Sequence, residues 1–187
     1  HSGAVFRCDP DGSNLEVVAV GLRNPQELAF DQYGNLFTVD NDADGIDLAR
    51  LVQIVEEGDS GWQIGHQWVG PTRLWNRENV WATQFEDQTA HTLPPVAHIT
   101  NGPSGLSYYP GTGLPPAYDG HFFVADFTGS PQGSGVYAFS VIPSGATFRM
   151  SEPEKFAWGI VATDVDFGNG AGVYIADWVG SYSKPGK

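Results

Sequence analysis

The feature that most restricts the fold of this chain is a hairpin pattern that occurs three times. Each copy has a short apolar strand, a turn containing glycine, a second apolar strand and a terminal aspartate. The copies are NPQELAFDQYGNLFTVD, GPSGLSYYPGTGLPPAYDGHFFVAD and ATDVDFGNGAGVYIAD, and they end at Asp40, Asp126 and Asp177. Their first strands are predicted to end at Phe30, Tyr108 and Phe167. Apolar runs or alternations bounded by glycine turns predict β-hairpins rather than helices.

Further strand pairs precede or follow these hairpins. GAVFRC and LEVVAV flank a turn at residues 9–12, ARLVQIV follows the first hairpin, and GVYAFSV and ATFRM flank residues 143–145. The chain therefore predicts an all-β fold of repeated four-stranded antiparallel units, which is typical of a β-propeller. The 24 glycines and 13 prolines among 187 residues exclude a helical bundle.

The repeat count predicts a single partial domain over residues 1–187, with about three blades, or half of a six-bladed propeller. The chain begins with an outer strand pair at 4–20 and ends with an inner strand pair at 160–178, which could complete one blade between them. Three blades leave open sheet faces, which are a solubility liability. We therefore expect pairing with further propeller blades or with a second copy of this chain.

An aromatic insertion at about residues 62–98 interrupts the repeats. It contains four tryptophans, namely Trp62, Trp68, Trp75 and Trp81. A long segment without regular structure needs a small core of its own, and this is the interpretation we favour. Aromatic faces with polar edges would also suit a sugar or a flat ligand.

The charge balance excludes some classes of partner. The formal net charge is −13, from 9 basic and 22 acidic residues, so binding to nucleic acid or to an anionic membrane surface is not expected. No stretch approaches the roughly 18 apolar residues of a membrane span, so membrane insertion by this chain is not expected. Cys8 is the only cysteine, which excludes an internal disulfide and a cysteine-based zinc site.

An acidic loop follows the first hairpin and places oxygen atoms at alternating positions. Its candidate metal ligands are Asp40, Asn41, Asp42 and Asp44. Hard cations such as Ca²⁺ take six to eight oxygen ligands, and the clustered carboxylates repel one another unless something neutralises them. The helix-loop-helix calcium pattern fails, because Leu51 stands where that pattern needs a glutamate. The alternative is a turn with solvated carboxylates.

Arg23 and Asn24 stand at the entry to the first predicted inner strand. Arginine offers a planar fork for carboxylates, and asparagine offers both a donor and an acceptor. In a propeller this end of the strand faces the central channel, so the pair could bind a ligand there. Equally, the two residues could cap the loop and hold neighbouring blades together.

Four segments carry a resemblance to a known family. They are GLRNPQELAFDQYGNLFTVDND, LARLVQIVEEGDSGWQIG, GPSGLSYYPGTG and TDVDFGNGAGVYIADW. Together they resemble the soluble quinoprotein glucose dehydrogenase-like propellers. The first segment matches a G-x-R-N-P strand entry, a D-x-x-G-x-L turn and an acidic loop, and the second ends in G-x-x-x-G-W. The nearest branch is the propeller of large membrane-bound dehydrogenases of planctomycete-type bacteria.

The resemblance implies a six-bladed propeller that binds pyrroloquinoline quinone (PQQ) and Ca²⁺ on its axis and abstracts hydride from a sugar or alcohol. It implies that Arg23 and Asn24 contact the cofactor, and that residues 40–44 lie where the family binds ions. It also implies an extracytoplasmic location, either periplasmic or secreted. The family's catalytic histidine belongs to an earlier blade, so no catalytic residue is assigned here.

Two other functions stay open. Calcium-dependent lactonase propellers also place asparagine and aspartate on the axis, where a metal-bound water attacks the lactone. The candidate ligands in that case are Asn24, Asp40 and Asp164. The other alternative is a non-catalytic binding or assembly module in which the acidic loop is a structural calcium site, since one fold hosts many functions.

Overall fold

The computed structural model describes residues 3–42, 48–62 and 92–179. These residues form fourteen β-strands and a short 3-10 helix at Pro116–Tyr118. The strands are β1 (Gly3–Arg7), β2 (Glu16–Leu22), β3 (Pro25–Phe30), β4 (Leu36–Asp40), β5 (Arg50–Ile54), β6 (Gly58–Asp59), β7 (Ala97–His98), β8 (Pro103–Tyr108), β9 (His121–Asp126), β10 (Gly135–Ser144), β11 (Thr147–Met150), β12 (Glu154–Trp158), β13 (Ala162–Phe167) and β14 (Val173–Asp177).

The strands form four sheets. The first has the order β1-β2-β6, the second β3-β4-β5-β7, and the last is the hairpin β13-β14. In the third sheet β8, β9 and β10 are neighbours, and the outer edge of β10 pairs with both β12 and β11. All of these pairings are antiparallel except the short contact between β2 and β6.

The three predicted hairpins are confirmed as β3-β4, β8-β9 and β13-β14. Their first strands end at Phe30, Tyr108 and Phe167, and their second strands end at Asp40, Asp126 and Asp177, as expected. The pairs β1-β2 and β10-β11 also form where they were predicted. Strand β12 was not predicted.

Most of the predicted insertion at about 62–98 lies outside the described residues, so its extent stays a prediction. Ala97 and His98 form β7 and pair with β5, so they belong to the second sheet. Trp62 is buried, and its backbone N–H donates to the Gly21 carbonyl at 2.8 Å. Residues 63–91, and with them the other three tryptophans, lie outside the described residues.

Three apolar clusters hold neighbouring sheets together. The first joins the second and third sheets through buried residues that include Phe37, Val39, Leu106 and Phe122. The second joins the third sheet to β13-β14. The third places the β1-β2 pair against the outer strands of the second sheet. The sheets therefore pack face to face in chain order, as successive blades of a propeller do.

The first strands of the three hairpins lie side by side, because β8 contacts both β3 and β13. Each of these strands has one irregularity in its pairing near its start. Leu28, Leu106 and Val165 then all stand opposite the residue two positions before the terminal aspartate. The three hairpins are thus structurally equivalent position by position. None of the described helices is long and apolar enough to cross a membrane.

Candidate functional site

Asp40, at the end of β4, holds the loop that leads into β3. Its Oδ1 accepts the backbone N–H groups of Arg23 and Asn24 at 3.1 and 2.8 Å. Its Oδ2 accepts Nε and Nη2 of Arg50 at 3.1 and 2.9 Å. Arg50 also donates to the carbonyls of Ser60 and Gly21. Only 1% of the Asp40 side chain and 12% of the Arg50 side chain are exposed, so this is a buried ion pair that joins four segments.

The other two terminal aspartates repeat the contact to the loop. Asp126 Oδ1 accepts the N–H groups of Asn101 and Gly102 at 3.1 and 2.9 Å. Asp177 Oδ1 accepts the N–H of Val161 at 2.8 Å. Burial raises the pKa of Asp126, and its two N–H donors act in the opposite direction. The terminal aspartate of each hairpin therefore fixes the loop that enters that hairpin's first strand.

Two carboxyl groups meet where the three first strands lie side by side. Glu27 on β3 accepts the backbone N–H of Leu106 on β8 at 3.1 Å. Asp164 on β13 lies over Gly105 of β8, where an added Cβ would come within 2.5 Å of Asp164 Oδ1. Burial raises the pKa of Glu27, and the hydrogen bond and negative charge of Asp164 raise it further. The two carboxyl groups thus lie where β3, β8 and β13, strands of three sheets, meet.

Aligning the three hairpins gives the signal that could have found this pair. Glu27, Gly105 and Asp164 each lie two residues after the first residue of their strand. Glycine at the middle position leaves room for the carboxyl groups on either side. Asp166, two residues further along β13, accepts the Ser107 hydroxyl at 3.2 Å and adds to the negative charge that Glu27 experiences.

Comparisons by sequence find no relative, because no family model matches and no curated protein matches. Comparison by structure finds several dehydrogenases. An oxidoreductase from Thermus thermophilus described as a glucose dehydrogenase is 20% identical, with a TM-score of 0.59 over 86% of this chain. The PQQ-bound aldose sugar dehydrogenase from Streptomyces coelicolor is 18% identical, with a TM-score of 0.59 over 92%. The apo form of the soluble aldose sugar dehydrogenase from Escherichia coli is 18% identical, with a TM-score of 0.55 over 86%.

This chain shares the all-β propeller fold of part of these solved structures. It spans less than half of each of these solved chains, namely 41%, 45% and 43% of their lengths. The all-β propeller class predicted from the sequence is confirmed at this level, and the resemblance to quinoprotein glucose dehydrogenases is supported. The number of blades and the planctomycete-type branch stay predictions.

Arg23 and Asn24 lie immediately before β3, the first strand of the first hairpin. Their backbone is fixed by Asp40, while the Asn24 side chain is exposed and that of Arg23 is half-buried. The predicted loop-capping role is therefore carried by their backbone N–H groups. Their role in cofactor binding stays a prediction.

The predicted metal ligands do not come together as one described cluster. Both carboxylate oxygens of Asp40 accept N–H donors, a role that the sequence reasoning did not anticipate. Asn41 donates its N–H to the Asn24 carbonyl at 3.2 Å, and its buried Oδ1 has no hydrogen-bond partner among the described residues. Asp44 lies outside the described ranges, and within them no three His, Cys, Asp or Glu side chains could hold a metal ion. Metal binding here stays a prediction.

The raised pKa of Glu27 beside Asp164 predicts that the stability of the chain depends on pH. The folded chain holds the Glu27 proton more tightly than the unfolded chain does, and this proton binding stabilises the fold. The stabilisation is complete below the ordinary pKa of 4.5 and is lost as the pH rises through the raised pKa of Glu27 in the folded chain. Glu27→Gln keeps an oxygen acceptor for the Leu106 N–H and removes the charge. We expect the variant to be more stable than the parent at pH 8, by less than about 1 kcal/mol because the pair is largely exposed.

Urea unfolding at several pH values from 4 to 8 measures this effect. The stability difference between Glu27→Gln and the parent is expected to grow as the pH rises. Glu152→Gln removes an exposed carboxylate from the segment before β12 and serves as the control, for which no such growth is expected. Parallel profiles for the parent and Glu27→Gln would contradict the raised pKa of Glu27.

Proposed function

We propose that this chain is the partial propeller of a quinone-dependent dehydrogenase that oxidises a sugar or an alcohol. The observation that carries the proposal is the sugar-dehydrogenase fold, with Arg23 and Asn24 fixed at the start of an inner strand. The activity would belong to an assembled propeller, because the chain covers less than half of the matched dehydrogenases. The catalytic base would come from other blades.

One described residue, Asn41, offers an oxygen atom that would suit a calcium ion. Calcium prefers carboxylate, amide and carbonyl oxygens, and Asn41 has a buried Oδ1 with no partner among the described residues. Asn41 follows Asp40 in the sequence, and its backbone N–H donates to the Asn24 carbonyl. We therefore propose Asn41, with Asp42 and Asp44, as the calcium-binding part of the acidic loop, and Asp40 as the residue that holds this loop in place.

Two of the described residues, Arg23 and Asn24, could bind one edge of PQQ, which is a tricarboxylate. Arg23 could pair with a cofactor carboxylate and Asn24 could donate a hydrogen bond. Arg50 is committed to Asp40, and Glu27 and Asp164 would repel a further carboxylate. The remaining cationic contacts would come from other blades. A bound quinone would be the oxidant that accepts hydride from the substrate.

The cellular setting follows from the same proposal. A periplasmic or secreted location would suit a quinone-dependent sugar dehydrogenase, and the propeller of planctomycete-type membrane-bound dehydrogenases is the branch whose sequence pattern we consider nearest. The substrate would be a small sugar or alcohol rather than a polymer of negative charge, since the chain is itself strongly acidic.

Binding of PQQ in the presence of Ca²⁺ tests the proposal with Arg23 as the probe. Calorimetry on the full chain is expected to show PQQ binding that depends on calcium. Arg23→Ala should weaken that binding about 10- to 100-fold, as expected for the loss of a hydrogen bond to a charged group. Arg149→Ala, which removes an exposed arginine from β11, is the matched control and should leave binding unchanged.

The other outcomes separate the alternative functions. Lactone hydrolysis that needs no quinone and stops with a chelator would replace this proposal by a hydrolase that uses Asn24 and Asp164. Stabilisation by calcium without PQQ binding or any turnover would indicate a non-catalytic module. Equal PQQ affinity of the parent and Arg23→Ala would remove Arg23 from the cofactor site.

A further inference from the structure

Two Asn-Gly dipeptides occur in the sequence, at residues 101–102 and 169–170. An asparagine that precedes glycine is chemically labile, because glycine has no Cβ to hinder attack by its own backbone nitrogen on the asparagine side chain. Asn101 and Asn169 are both exposed, so access to water does not distinguish them. The surroundings of the two glycine nitrogens do distinguish them.

The first dipeptide is held by the terminal aspartate of the second hairpin. The backbone N–H groups of Asn101 and Gly102 both donate to Asp126 Oδ1, at 3.1 and 2.9 Å. The Gly102 carbonyl accepts the N–H of Phe127 at 2.7 Å, and a Cβ added at Gly102 would overlap the Phe127 carbonyl oxygen. The nitrogen that would have to attack the Asn101 side chain is therefore already engaged, and the backbone around it is fixed.

The second dipeptide lies in the turn between β13 and β14. The Gly168 N–H closes this turn by donating to the Gly172 carbonyl at 3.1 Å. Among the described residues, neither the Asn169 side chain nor the Gly170 N–H makes a hydrogen bond. A Cβ added at Gly170 would meet no described atom within 4 Å. The Gly170 nitrogen is thus neither engaged nor shielded.

We propose that Asn169 is a site of spontaneous deamidation in the folded chain and that Asn101 is protected from the same reaction. The Gly170 nitrogen forms a bond to Cγ of Asn169, and the side-chain nitrogen leaves as ammonia with the proton that the Gly170 nitrogen loses. Water then opens the resulting succinimide ring at either carbonyl, which gives aspartate or isoaspartate. The ordinary pKa of an aspartate is about 3.9, so the product is negatively charged at neutral pH.

The modification reaches beyond the exposed side chain. The new carboxylate makes the formal net charge one unit more negative than −13. Isoaspartate also adds a methylene to the backbone of the turn. In that turn Ala171 packs against the segment between β8 and β9, where a Cβ added at Gly113 would overlap the Ala171 Cα. The added length therefore falls at a contact between the third sheet and the β13-β14 hairpin.

Peptide mapping by mass spectrometry of the full chain, aged in the folded state at pH 8, measures both rates. Deamidation at Asn169 is expected to be about 10- to 100-fold faster than at Asn101, because the Gly102 N–H must first give up a hydrogen bond to a charged group. In urea that unfolds the chain, the two rates should become similar. Equal rates in the folded chain, or an unchanged ratio in urea, would overturn the proposal.

Two variants test the chemistry at residues 169 and 170. Gly170 lies outside the left-handed region and has open space for a Cβ, so Gly170→Ala should keep the unfolding midpoint of the parent and lose most of the modification at Asn169. Asn169→Asp carries the product's charge from the start, and its peptide should show no further mass change. A modification rate at Asn169 that is the same in Gly170→Ala as in the parent would exclude attack by this nitrogen and overturn the proposal.

Asn101→Asp is the matched control, because it removes the other exposed asparagine of an Asn-Gly dipeptide. It should deamidate at Asn169 at the rate of the parent. A mass change that is found at residue 101 of the parent and not at residue 169 would reverse the assignment. The reaction needs neither cofactor nor turnover, so its failure leaves the proposed dehydrogenase activity untouched, and the reverse also holds.

Discussion

Replacing Asp40 by alanine is expected to lower the free energy of unfolding by about 3–5 kcal/mol, the usual cost of removing one partner of a buried ion pair. The variant leaves the Arg50 guanidinium buried without its carboxylate and removes the acceptor of the Arg23 and Asn24 N–H groups. Urea unfolding monitored by tryptophan fluorescence measures the loss.

The same experiment separates the structural role of Asp40 from a role as a calcium ligand. A structural role predicts that the loss is equally large with a chelator present. Removal of a ligand alone would cost stability only when calcium is bound. Glu16→Ala breaks the exposed pair between Arg7 and Glu16 and is the matched control, for which we expect no measurable shift of the unfolding midpoint. A loss for Asp40→Ala as small as that of the control would contradict the buried clamp.

Replacing Phe122 by alanine is expected to destabilise the chain by about 3–5 kcal/mol, as is typical for a fully buried phenylalanine. The ring is fully buried between the second and third sheets. It makes edge contacts with Phe37 at 5.2 Å and Tyr108 at 4.9 Å, and it stacks on Phe139 at 5.8 Å between ring centroids. The alanine substitution would therefore leave a cavity at the contact between the second and third sheets.

Two further variants check that the effect arises from the contact between the sheets. Phe122→Leu keeps most of the volume and should cost less than the alanine variant. Tyr33→Ala removes a similar ring that is largely exposed in the turn of the first hairpin, and its unfolding midpoint should stay near that of the parent. A midpoint for Phe122→Ala close to that for Tyr33→Ala would mean that the two sheets do not pack as described.

The hairpins could be predicted from the sequence because their signals are local. Apolar alternation, glycine turns and the terminal aspartates identify strands that end at Asp40, Asp126 and Asp177, and the structure has them at those residues. Strand β12 was missed because its sequence, EKFAW, has neither a glycine turn before it nor a long apolar run. The segment forms a strand because the edge of β10 is available to pair with it.

The local sequence also identified Arg23, Asn24 and the acidic loop as candidate ligand-binding residues. It could not assign Arg50 to Asp40, because the pair depends on β4 and β5 lying in register. Aligning the hairpins gives Glu27, Gly105 and Asp164 equivalent positions, but their contact also requires three sheets to pack in order around Gly105.

The amino-acid sequence by itself determined the strands, the repeat and the all-β class, because these depend on backbone preferences and on the spacing of apolar residues over short stretches. Only the tertiary structure decided that Asp40 is a buried clamp and that Glu27 and Asp164 lie together beside Gly105. Burial and pairing of this kind depend on which residues from distant parts of the chain occupy the neighbouring volume, and no local pattern encodes that.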